Sequence, residues 1–257
     1  MFSNFTGTYP SYIRGKNKRT FVRLERTRYH SKVTEPLVEI NPLFVQKIPL
    51  WKRAMDICFS IFGIIMLLPL FVIAGIYIKL VSPGPVFFRQ DRVGYGGKIF
   101  SMYKLRTMHP NADNSLHAKH MVEIINGDDA RNLYKPISKL PNDPRIIPFG
   151  KIIRVAAIDE LPQFFNILKG DMSLVGPRPP IPYEVDQYKY WHSSRFDTVP
   201  GLTGLWQVSG KNRLPFNEMI RLDIRYIEKQ SFWLDLKILL LTPAAIISQL
   251  IDPQGNF

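Results

Sequence analysis

Hydrophobic and polar positions are spread very unevenly along this chain. Residues 1–46 show no sustained apolar period and read as a loosely structured arm. From Ile57 to Ile78, by contrast, 22 successive residues carry no charge. As a helix that run is about 33 Å long, close to the roughly 30 Å hydrocarbon core of a bilayer. It is too long for an ordinary core helix, and membrane insertion is the expected use. Trp51, Lys52 and Arg53 read as an interfacial anchor at its start. Pro69 lies inside the run, where it removes one backbone hydrogen bond and predicts a kink. Both flanks are basic: Lys47, Lys52 and Arg53 before, then Lys79, Arg89, Arg92 and Lys98 after. The positive-inside rule places both on the cytoplasmic side. A re-entrant helix bent at Pro69 satisfies both features, and an ordinary span with a tolerated proline is the alternative.

Beyond Lys79 the pattern changes. Ser82-Pro83-Gly84-Pro85 is a hard stop. Two strand-like pieces, 86–93 and 98–106, flank Gly94-Tyr95-Gly96-Gly97 and predict a hairpin. A period of two puts Lys104 and Arg106 on one face, either as a solvated strand face or as a phosphate-holding pair beside Phe100 and Tyr103. Residues 112–126 read as a polar helix ending at Gly127. Its His117 and His120 lack a third ligand and are expected to be a solvated pair rather than a metal site. Asn142-Asp143-Pro144 predicts a turn.

Asp159 is placed to cap a short helix with Glu160 and Pro162 in its first turn and Lys169-Gly170 at its close. The same two carboxylates at a helix N-terminus also suit phosphate chemistry. Arg154 lies nearby in sequence, and Arg178 is framed by prolines in Gly176-Pro177-Arg178-Pro179. A further helix is predicted over 215–229. Phe216, Met219, Ile220, Ile224 and Ile227 form its apolar stripe, and Asp223 falls in the middle of that stripe. An acid on a buried face is either salt-bridged or functional. The tail, Ile238 to Ile251, has 14 uncharged residues interrupted by Pro243 and is expected to be an interfacial helix too short to span.

Composition narrows the function. Of 257 residues, 46% are apolar, so the chain has material for a core. The single cysteine, Cys58, excludes an intramolecular disulfide framework and a Cys-cluster zinc site. The net charge of +13 calls for an anionic partner. Residues 1–53 hold 11 Lys/Arg and 3 acids, so much of the excess lies in the arm, which no apolar segment follows early enough to make a secretory signal. No recognition motif supports a nucleic-acid partner, and there is no internal repeat, Walker-type loop or dinucleotide glycine fingerprint.

The pieces KRAMDICFS (52–60), SPGPVFFRQDRVG (82–94), YKLRTM (103–108), DPRI–PFGKIIR (143–154), DELPQFFNILKGDMSLVGPRP (159–179) and PGLTGLWQVSGK (200–211) occur in this order. In them the chain, from Lys52 to Leu241, resembles the bacterial sugar transferases, that is, the monotopic phosphoglycosyl transferases. The resemblance implies an α+β, mostly helical fold. It would consist of a basic arm (1–46), a re-entrant, Pro69-broken membrane helix (47–80), a cytoplasmic catalytic domain with a small β-hairpin (81–235) and an interfacial segment (236–257). It implies transfer of a sugar 1-phosphate from a UDP-sugar to undecaprenyl phosphate at the bacterial inner membrane, starting exopolysaccharide, capsule or O-antigen synthesis. Galactose or glucose leads, with an N-acetylated sugar as runner-up. It makes Asp159 the nucleophile, Glu160 a Mg2+ ligand, Lys104, Arg154 and Arg178 phosphate-binding cations, and Asp223 and Tyr226 parts of an Asp-x-x-Tyr element; Arg106 joins the phosphate-binding candidates from its strand face. Membrane lipid is an expected contact, and a homo-oligomer is left open. Two positions depart from the family pattern: Ala157 stands for a serine and Pro180 for a glutamate, which puts local hydrogen bonding in doubt. The longer members' extra N-terminal helices and soluble domain are not seen, so a catalytic module with a basic arm is expected. A non-catalytic membrane-tethered scaffold is the rival reading; it would need the apolar helix but not the Asp159-Glu160 pair.

Overall fold

The computed structural model describes residues 47–109, 115–126, 145–210 and 214–251. The basic arm, Gly127 and the Asn142-Asp143-Pro144 turn lie outside them.

Helix α1, Leu50–Val81, is 32 residues long, and Pro69 sits inside it without ending it. It stops where the sequence demands. Ser82 precedes a proline and takes the extended conformation that such a residue needs, while its N–H closes on the Ile78 carbonyl at 3.1 Å. Strands β1 (Phe87–Val93) and β2 (Ile99–Leu105) form the expected antiparallel hairpin, in register from Phe87 opposite Leu105 to Val93 opposite Ile99. Gly96 and Gly97 supply the positive φ values, 64° and 76°, of its turn.

The far edge of β2 meets a side chain rather than a strand. The amide of Asn166, on helix α4 (Gln163–Lys169), accepts from Tyr103 N–H at 2.9 Å and donates to the Ser101 carbonyl at 2.8 Å. Asn166 thus occupies hydrogen-bonding groups that an open edge would expose. Gly170 ends α4 in the left-handed conformation (φ 97°), as predicted.

A second, parallel pair, β3 (Ser173–Val175) with β4 (Gly201–Thr203), was not legible beforehand. It explains two motif glycines. A Cβ on Gly201 would lie 2.0 Å from the backbone nitrogen of Gly176, which cannot move aside. Helices α2 (Ser115–Asn126), α3 (Gly150–Val155), α5 (Pro182–Val185), α6 (Leu205–Val208), α7 (Phe216–Lys229) and α8 (Phe232–Ile251) complete the body. The last is longer than the predicted tail: it starts at Phe232 and has 20 residues.

Helix α1 is held along its length by this one body. Near its start Lys52, Asp56 and Ser60, four residues apart, are buried. Lys52 Nζ donates to Asp235 Oδ2 of α8 (2.6 Å), Val175 O of β3 (2.8 Å) and the Tyr226 hydroxyl of α7 (3.0 Å). Asp56 accepts from Ser173 Oγ (2.9 Å) and Leu174 N–H (2.8 Å). Arg53 donates to the Ile167 and Leu168 carbonyls at the end of α4, each at 2.6 Å. Lys52 and Arg53 are therefore structural cations, and the interfacial-anchor reading of them gives way. Further along, Phe71 meets Phe87 and Phe165, and Ala74 and Ile78 pack with Leu105 and Ile147. Tyr77 donates to the Pro148 carbonyl at 3.0 Å. The opposite side of α1 is bare: Phe62, Ile65, Met66 and Ile73 are each more than 60% exposed. Apolar exposure on that scale is unusual for a surface in water. Both α1 and α8 are long and apolar enough to cross a membrane by length and composition.

Candidate active site

Asp159 lies in a single 3-10 turn, Ile158–Glu160, that follows α3 and packs against β2. The cap reading fails here, because α4 begins four residues later behind Pro162 and makes no side-chain cap hydrogen bond. What aims Asp159 is backbone strain just before it. Ala157, where the family pattern has serine, sits at φ 57°, and Phe149 at the other end of α3 sits at φ 54°. Non-glycine residues avoid this region, and such strain persists only where the surroundings impose it.

The turn brings four of the expected residues together. Glu160 Oε1 accepts from Lys104 Nζ at 3.0 Å, and both side chains are part-exposed. The charges of Lys104, Glu160 and Arg154 all act on Asp159, whose own exposure is only 7%. Burial pushes the Asp159 carboxyl up to about 6; Glu160 adds to the rise, and Lys104 and Arg154 oppose it. The group is thus ionised at neutral pH but poorly solvated, which suits a carboxylate meant to react.

The remaining candidates separate. Arg106 is buried and donates to the carbonyls of Ser82 (2.7 Å) and Pro83, tying the hairpin to the end of α1. Tyr226 is fully enclosed, its hydroxyl donating to Asp235 Oδ1 (2.7 Å) and lying 3.1 Å from the Val175 carbonyl. Burial raises its pKa, so it stays neutral. It shares the Lys52 knot and not the Asp159 cluster. Asp223 is 1% exposed and pairs with Arg195 at 2.6 Å, so the acid within the apolar stripe of α7 is a buried ion pair. Arg195 and Arg92 were not anticipated as partners of the site. The segment Tyr190–Asp197 that carries Arg195 has no helical or strand periodicity, and only the need of Asp223 for a counter-charge hinted at a cation.

His192 fastens that segment. Its Nδ1 accepts from Lys189 N–H (3.1 Å), which leaves Nε2 to donate to Asn217 Oδ1 (3.2 Å) on α7. Burial holds its pKa down near 4, so the ring is neutral.

The family model for bacterial sugar transferases matches residues 47–249. This chain belongs to that family. The galactosyl transferase CpsE of Streptococcus agalactiae serotype III is 41% identical over 203 residues, which is 76% of this chain and 42% of that protein. The undecaprenyl-phosphate galactose phosphotransferase of Salmonella typhimurium is 39% identical over 197 residues, 76% of this chain and 40% of that protein. The UDP-glucose:undecaprenyl-phosphate glucose-1-phosphate transferase of Caulobacter vibrioides is 38% identical over 216 residues, covering 81% and 74%. This bacterial sugar transferase therefore spans about two fifths of the length of the first two relatives.

Proposed function

We propose that this protein transfers galactose 1-phosphate or glucose 1-phosphate from its UDP-sugar to undecaprenyl phosphate, at the cytoplasmic face of the bacterial inner membrane, as the first step of a surface polysaccharide. The observation that carries the reading is the buried Asp159 set beside Glu160 within reach of the charges of Lys104 and Arg154, on a body that presents a bare apolar helix. The names of the three relatives favour galactose or glucose over an N-acetylated sugar.

In the first displacement an Asp159 carboxylate oxygen attacks the phosphorus that bears the sugar. The bond from that phosphorus to the bridging oxygen breaks, and UMP leaves with the electron pair. In the second, an oxygen of undecaprenyl phosphate attacks the same phosphorus, and the Asp159–phosphorus bond breaks. The carboxylate is restored and a lipid diphosphate sugar is formed. The sugar–oxygen bond survives both steps. Lys104, Arg154 and Arg178 supply cations for the two phosphates, which lowers the repulsion that an anionic nucleophile meets.

Mg2+ fits this donor set. Among the described residues no three acidic, His or Cys side chains gather to hold a metal alone. Magnesium commonly uses one or two carboxylates together with substrate phosphates and water. Glu160, part-exposed and adjacent to Asp159, would hold it, and the ion would supply further neutralisation of the pyrophosphate.

The packing of α1 supports a re-entrant or in-plane placement. As a straight helix it would be about 48 Å long, more than the bilayer core. Yet Lys52 at one end and Tyr77 near the other both bond to the same body. Single cysteines near residues 50 and 82, in a Cys58→Ser background, are expected to react with an impermeant thiol reagent on inverted vesicles and not on intact cells. Labelling of one from each side would establish a span. The activity itself is tested by offering membranes a panel of labelled UDP-sugars. Undecaprenyl-phosphate-dependent label transfer and UMP release are expected with UDP-galactose or UDP-glucose, and a scaffold would release none.

A further inference from the structure

The backbone that carries Arg178 is fixed to an unusual degree. Pro177, Pro179 and Pro180 have no N–H and a restricted φ, so only their carbonyls need partners. Four successive carbonyls find them in different parts of the fold. Pro177 O accepts from Gly201 N–H at 2.8 Å, and Arg178 O from Arg195 Nη2 at 2.9 Å. Pro179 O accepts from Arg92 Nη1 at 2.9 Å, and Pro180 O from Val93 N–H at 2.9 Å. The Arg178 guanidinium itself has no hydrogen-bond partner among the described residues.

The donor on Arg178 O is itself held. Arg195, 5% exposed, gives Nη2 to Asp223 Oδ2 at 2.6 Å and Nη1 to the Tyr188 hydroxyl at 2.7 Å. Asp223 is enclosed and out of reach of a substrate, but through Arg195 it acts on the residue expected to touch one. The electrostatics agree. Arg195 faces the carboxylates of Asp223 and buried Glu184, whereas Arg92 feels the like charge of Arg178, which Glu184 and Glu160 oppose. Burial, and after it the like charge of Arg178, lower Arg92 to about 10. An anion at Arg178 would relieve that repulsion.

We propose that Asp223 and Arg195 are positioning residues that lock the Pro177–Pro180 backbone so that the Arg178 guanidinium is already aimed at the pyrophosphate of the nucleotide sugar. This rests on the phosphate-binding role given to Arg178 under the proposed function. Its physical content is preorganisation: a displacement of roughly 1 Å in a positioning group costs on the order of 10²-fold.

A double-mutant cycle on donor binding tests it, using the full chain in nanodiscs. The chain carries Asp159→Asn so that no transfer occurs, and the probes are UDP-galactose and UDP-glucose. Arg178→Ala is expected to weaken binding by about 10- to 100-fold, as the loss of a charged hydrogen-bond donor should. Asp223→Asn is expected to cost a comparable factor, and the double variant no more than about twofold beyond the worse single, because coupled residues are not additive. Tyr188→Phe, which leaves the ion pair in place, is expected to weaken binding by about threefold and to be silent in an Arg178→Ala background; it carries the comparison where Asp223→Asn disturbs the fold. Losses that multiply would overturn the proposal, as would an Asp223→Asn variant that melts earlier but binds donor normally. If Arg178→Ala alone has no effect, the phosphate role of Arg178 fails and the proposal with it. The role of Asp159 is then judged separately by UMP release.

Discussion

Asp159→Asn is expected to abolish sugar-phosphate transfer, by on the order of 10³-fold or more, while the protein inserts and folds as before. Asparagine keeps the shape but is not a nucleophile. Fold loss is not expected, because asparagine matches the side chain in size and can still accept a backbone hydrogen bond, and burial already disfavours the charged form. A neutral side chain at a 7% exposed position removes a desolvation cost and should leave the melting temperature equal or slightly higher. The same burial sets a pH dependence. With its pKa pushed up to about 6, Asp159 is mostly ionised at pH 7, and the ionised fraction falls about tenfold per unit once the pH drops below 6. The kcat/KM for UDP-sugar should follow that limb. A profile flat down to pH 5, or near wild-type transfer by the asparagine variant, would remove Asp159 as the reacting group.

The largest effect on stability is expected at Lys52. Its ammonium is 1% exposed and shares Asp235, the Val175 carbonyl and the Tyr226 hydroxyl. Lys52→Met leaves Asp235 buried without its cation, a change that costs about 3–5 kcal/mol, and the melting temperature in detergent should fall by about 10 °C. The comparison that identifies the cause is Lys52→Met with Asp235→Leu. Removing both charges should recover much of the loss, since a buried pair is worth far less than the cost of breaking it on one side. A single variant that melts within about a degree of the parent would show that the knot does not hold α1 to the body.

The residues that announced themselves in the sequence did so through periodicity. The hairpin register follows from alternation and a glycine turn, and α7 was placed to within a residue at its start because its apolar stripe repeats at 3.6. The same stripe exposed Asp223 as out of place. It could not name Arg195, 28 positions away on a segment with no period. Lys52 and Arg53 read as membrane anchors because a cation before an apolar run has that default, whereas β3, α4 and α8 consume them. Strands of three residues carry too few positions for alternation to register, which hid β3 and β4. Asp159 looked like a cap because Asp, Glu and Pro in a row are cap chemistry. The positive φ at Ala157 that turns it inward leaves no mark on an alanine.

The central claim is a covalent bond between Asp159 and the transferred phosphate, and a single-turnover measurement without lipid acceptor tests it most directly. Purified protein mixed with excess UDP-galactose or UDP-glucose and Mg2+ is expected to release one UMP per active site in a burst. The chain should gain the mass of one hexose phosphate less water, mapped to the peptide containing Asp159. Later addition of undecaprenyl phosphate should discharge it. UMP that appears only when the lipid is already present, with no adduct at any stage, would contradict the account and point instead to direct transfer between the two substrates.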